Sequence, residues 1–210
     1  MKKFIQKDII TRCDLEQTIS ANGITGIDVA MLGGNIVLLG SLNTNTITIK
    51  IQWDDQRPLL HPRIAVKNGI LAITARQWAA FFRQKNAYIL EVHMPADLLL
   101  NVRLGAGTIF ATHLSGDCNV RLGAGDAQIQ SSGKLLQVRV GAGDVKVSLQ
   151  NLTDQSNISL RVGLGDISVH LPTDVTRERN CNLKNGLINN SVGAQLEARI
   201  GLGDIKVTQD

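Results

Sequence analysis

Aromatic residues make up only 3% of this 210-residue chain, and the sole aromatic after Asn101 is Phe110. So few large rings exclude a broad interior and leave small and branched aliphatics to fill a thin, regular one. Of four prolines only Pro172 follows Asn101, so the C-terminal half carries almost nothing that would interrupt a hydrogen-bonded ladder. The three cysteines, Cys13, Cys118 and Cys181, form no CxxC pair and leave one over in any pairing scheme, so reduced thiols are expected and not a disulfide framework. No window reaches the roughly 18 to 20 apolar residues of a spanning helix. The opening MKKFIQKDIITRCDLEQ is broken by Gln6, Lys7 and Asp8 before an apolar signal core can form. The expected compartment is therefore the cytoplasm as written, or the cell surface if a leader was removed. The formal charge of +4 is spread without runs of one sign, which argues against a nucleic-acid partner.

What the chain does have is glycine, 20 residues of it, and a repeat. The segments VRLGAGTI from Val102, VRLGAGDA from Val120, VRVGAGDV from Val138, LRVGLGDI from Leu160 and ARIGLGDI from Ala198 align without gaps. Their first glycines fall at 105, 123, 141, 163 and 201, giving steps of 18, 18, 22 and 38 residues, the last long enough for one degenerate rung with an insertion. Within a unit, Val138 and Val140, then Val145, Val147 and Leu149, alternate with Arg139, Lys146 and Ser148. This period of two is that of a half-buried strand. The Gly-x-Gly between the runs marks a corner where positive φ, or close approach of a neighbouring coil, would penalise a Cβ. One strand-corner-strand unit is too short to cover its own apolar face. Stacking copies about 4.8 Å apart buries a continuous interior and pairs the inner strand edges.

The expected fold is thus all-β: a single-domain, β-helix-like solenoid over residues 1–210 with rungs of 18–22 residues. Regular repeats occupy 100–210. Residues 1–99 form a less regular β part, with strands signalled by GIDVAMLGGNIVLLG, TITIKIQW and IAVKNGILAITA, the last holding an Asn-Gly hairpin signal. ARQWAAFFRQKNA, from Ala75 to Ala87, breaks the alternation and is expected to be a short non-strand insertion that plugs the core.

The order of these features is an opening strand pair with Gly-Gly-Asn-Ile at 33–36, a strand ending in His93-Met94-Pro95, then serial Gly-x-Gly-Asp units. In this the chain resembles, over nearly its whole length, the bacterial "putative adhesin" family of unknown function. The resemblance implies a β-helical fold and an adhesin-like or scaffold role, with no catalytic residues and no cofactor.

Two charged columns follow from the repeat. Arg103, Arg121, Arg139, Arg161 and Arg199 are flanked by inward-facing residues, so they point outward and form a candidate binding strip. In-register like charges repel by a few tenths to about 1 kcal/mol per pair. The expected compensation is an Arg–Asp lattice over the corner; the alternative is a shallow cationic strip for a protein or an acidic glycan. The turn residues are Gly105, Gly107, Gly123, Gly125, Gly141, Gly143, Gly163, Gly165, Gly201 and Gly203, followed by Asp126, Asp144, Asp166 and Asp204. Each Asp is expected to cap its own corner. Calcium is disfavoured because calcium-binding rolls repeat Gly-Gly-x-Gly-x-Asp every nine residues. A phosphate cradle is disfavoured because a strand, not a helix, follows the glycines. His61, His93, His113 and His170 show no metal-binding spacing, and no GxSxG elbow is present. The chain is therefore expected to be a non-enzyme without metal, with a carbohydrate-active β-helical enzyme or glycan-binding module as the rival, and with homo-oligomers formed through the end of the stack.

Overall fold

The computed structural model describes residues 12–54, 62–75, 89–172, 185–188 and 194–209, and among these every regular element is a strand. The sixteen strands belong to one sheet that does not close on itself. The alternating segments of the repeat form pairs of strands either side of each glycine corner. These are β8 (Cys118–Ala124) with β9 (Ala127–Ser131), β10 (Leu135–Ala142) with β11 (Val145–Leu149), β12 (Asn157–Leu164) with β13 (Ile167–Leu171), and β15 (Gln195–Leu202) with β16 (Ile205–Gln209). In the first unit the corner stays within one strand, β7 (Leu99–Leu114).

Corresponding strands pair in parallel, in a constant register except for a bulge between Ala111 and Leu114 where β7 meets β9. Val102, Val120, Val138, Leu160 and Ala198 are successive register partners on one ladder; Ile109, Ala127, Val145, Ile167 and Ile205 are partners on the other. Because side chains alternate, each column is wholly inside or wholly outside. The inward columns of both ladders belong to one cluster of buried aliphatics, worth about 1.5–3 kcal/mol for each fully buried Val, Leu or Ile. Cys118 lies in this interior, where burial, with a smaller contribution from the Asp117 carboxylate, pushes its thiol up to about 12.

The N-terminal strands extend the same stack. β2 (Gly26–Ser41) pairs in parallel with β7 from Gly26↔Leu99 to Leu39↔Thr112, so Gly33-Gly34 sits against Ala106-Gly107 and β2 is a complete tier. On its other side β2 receives β5 (Ile70–Ala75) along its first half and β6 (Ile89–Pro95) along its second, both parallel. Together these two make a further tier. The expected non-strand insertion from Ala75 to Ala87 lies, apart from Ala75, outside the described residues. Antiparallel strands finish this end: β3 (Thr46–Asp54) on β6, β1 (Arg12–Ser20) on β3, and β4 (Arg63–Lys67) on β5. The β4–β5 turn uses Asn68 and Gly69 at φ 51° and 75°, as a two-residue hairpin demands.

The long gap of 38 residues does not hold a degenerate rung. β12 pairs directly with β15 and β13 with β16, so no tier lies between these two rungs. Part of the gap, β14 (Asn185–Ile188), folds back antiparallel onto the outer edge of β15. A covered edge of this kind limits open-ended strand pairing.

Candidate functional site

The glycine corner organises the surface around it. The two glycines of each unit stand in two columns, and an ideal Cβ added to any of them from tier β7 onward would collide with the backbone carbonyl one tier below. At Gly123 the φ is unexceptional and only this collision, with the Gly105 carbonyl, forbids a side chain. Gly125 has the same problem against Gly107 and in addition a φ of 119°. The corner thus needs glycine chiefly because consecutive tiers approach with nothing between their backbones.

On one side of the corner stands the Asp column. The Asp144 N–H donates to Asp126 Oδ1 at 3.0 Å, Asp166 N–H to Asp144 Oδ1 at 2.9 Å and Asp204 N–H to Asp166 Oδ1 at 2.9 Å. In the first pair of tiers the Thr108 hydroxyl donates to Asn35 Oδ1 at 2.8 Å instead. Each carboxylate therefore caps the corner of the next tier and not its own, because the tier spacing of about 4.8 Å is within a short side chain's reach. Among the described residues no Arg–Asp ion pair crosses the corner: the aspartates lie between the two ladders and turn their carboxylates along the stack. Among the described residues no group of three His, Cys, Asp or Glu side chains is placed to hold a metal ion.

On the other side, Arg103, Arg121, Arg139, Arg161 and Arg199 are consecutive register partners, all exposed. The first four border a shallow groove of about 690 Å³ whose floor is the first-glycine column. Their compensation is uneven. Arg103 Nη2 donates to both oxygens of Asp28, at 2.9 and 2.8 Å. Arg161 reaches Glu197 at 3.5 Å, and Arg199 Nε donates to the same carboxylate at 2.7 Å. Arg121 and Arg139, in the middle, have no ion pair or hydrogen bond among the described residues.

The cause is legible two residues upstream of each arginine, on the same outward face. That column runs Asp28, Asn101, Asn119, Gln137, Ser159, Glu197, so acids occur at its two ends and neutral polar residues between them. The sequence reading singled out the arginines and missed this neighbouring column. Its signal was the identity of the residue at position minus two in each repeat.

The histidines do not converge. His93 lies 2.5 Å from Glu91 on β6, while His113, at φ 56° in a bulge of β7, and His170, which contacts Thr208 at 3.0 Å, are separated by β9 and β11. His61 lies outside the described residues.

No protein-family model matches the chain, and no curated protein matches it. Among solved structures, a "putative cell adhesion protein" from Clostridium sporogenes is similar over 95% of this chain and 100% of its own, at 13% identity and a TM-score of 0.51. A "putative adhesin" from Bacteroides fragilis aligns over 96% and 99%, at 12% identity and a TM-score of 0.34. At such identities the first likeness establishes a shared all-β arrangement.

Proposed function

We propose that this chain is a non-catalytic, adhesin-like β-solenoid, a single domain that binds an anionic partner along its arginine groove. The solenoid reading is supported by two parallel ladders advancing one tier per repeat around a common aliphatic interior. The adhesin-like reading draws support from the fold shared with the Clostridium sporogenes protein, which is named for cell adhesion.

The observation that carries the binding role is the uneven treatment of charge. Each aspartate from Asp126 to Asp166 is used by the fold, whereas Arg121 and Arg139 stand in register as like charges and make no ion pair or hydrogen bond among the described residues. Clustered cations of this kind on an exposed groove attract and orient anions. Replacing both with alanine should lower binding to a panel of soluble polyanions (a polyuronate, a sulfated glycan, polyglutamate) by about tenfold or more while the melting temperature stays put. Binding that no member of the panel owes to these arginines would overturn the reading. So would the appearance of new reducing ends in the glycans, which would move the chain to the carbohydrate-active enzymes.

A further inference from the structure

We infer that the groove takes an extended acidic polysaccharide of the uronate type, lying along the stack axis with one sugar unit per tier. The inference rests on the anion-binding reading and narrows its ligand. An arginine recurs at each of the tiers of β7, β8, β10 and β12, about 4.8 Å apart. That spacing is close to the length of one pyranose unit. Successive units of an extended 1,4-linked uronan turn their carboxylates to different sides, so one carboxylate faces Arg121 and Arg139 together while neighbouring units present ring hydroxyls, which an acidic peptide lacks, to the amides beside them. A nucleic acid matches the tier spacing poorly: strand phosphates advance about 3.4 Å per base pair in a duplex, and single strands are held by aromatic platforms, whereas none of the residues lining this groove is aromatic.

The chemistry alongside the charges fits a sugar. Arginine offers a planar fork that engages a carboxylate through two parallel hydrogen bonds. The amides of Asn119 and Gln137 stand two residues from Arg121 and Arg139 on the same face, supplying both donors and acceptors for ring hydroxyls. The glycine floor leaves no side chain to lift a flat ring off the backbone. At the two ends Asp28 and Glu197 already neutralise their arginines and would repel further carboxylates, which confines the ligand to the middle tiers.

The test is calorimetric titration of the full chain with oligogalacturonates of increasing length, with polyglutamate and oligothymidylate as comparators. The variants are Arg121→Ala/Arg139→Ala and Asn119→Ala/Gln137→Ala. Affinity for the uronates should climb by about tenfold or more from the monosaccharide to the disaccharide and level off by about three sugars, the span of the two unneutralised tiers and their margin. The arginine variant should abolish the climb, and the amide variant should weaken uronate binding several-fold with polyglutamate little changed. Uronate affinity that ignores chain length, or that polyglutamate or oligothymidylate equals, overturns the polysaccharide assignment while arginine-dependent anion binding survives. Absence of any arginine-dependent binding overturns both readings.

Discussion

The Asp and Arg columns share a period, a corner and a tier spacing, yet the fold treats them oppositely. Each Asp from 126 to 166 hands its Oδ1 to the backbone N–H of the following Asp, so the charge is spent on holding one tier to the next. The arginines have long side chains on a flat strand face, with no backbone donor or acceptor to engage beside them. Among the described residues their only ion-pair partners are two acids at the ends of the neighbouring column. A repeated polar residue is structural when its partner is supplied by the repeat itself, and is free for other work when it is not.

That contrast can be broken at the corner the two columns share. Gly125→Ala combines a positive φ with a collision against Gly107, and should cost about 3 kcal/mol or more in urea unfolding. Gly123→Ala meets only the collision with Gly105 and should fall lower, at about 1–3 kcal/mol. Equal losses would mean that conformation adds nothing to close approach. Next in size, Asp144→Ala strips the acceptor from the Asp166 N–H and should cost about 1 kcal/mol, while Asp144→Asn, which keeps a carbonyl oxygen there, should cost less. Indistinguishable Ala and Asn variants would show that the carboxylate column is not joining tiers. The smallest effects belong to the arginines. Arg103→Ala should lose no more than about 0.5 kcal/mol, its pair with Asp28 being substantially exposed, whereas Arg139→Ala should be neutral or stabilising by a few tenths of a kcal/mol as in-register repulsion is relieved. A marked loss of melting temperature in Arg139→Ala would place that side chain in the fold's service and remove the contrast.

Much of the C-terminal half was legible because a period of two, repeated every 18 residues, specifies both strand and face. Val120, Val138 and Leu160 stand in one buried column for that reason. The gap before Ala198 misled, since a length that could hold a rung cannot say whether the chain spends it inside the stack or outside. The aspartates misled in a different way. A local capping habit suggested that each serves its own corner, but a neighbour one tier away is as near as the residue's own loop. In the N-terminal half, the insertion of β6 between β3 and β2 left no mark in the alternation, because hydrophobic pattern records which face a residue occupies and not which strand lies beside it.

By itself the sequence determined that the chain is built of short alternating strands turned at glycine pairs, with aliphatics on one face and charged residues in columns on the other; local sterics and side-chain period suffice for that. Only the tertiary structure decided which charges are consumed and which are left over. Asp28 and Glu197 reach Arg103 and Arg161 across 75 and 36 residues of chain, and such partnerships exist only once the tiers are stacked and their register is set.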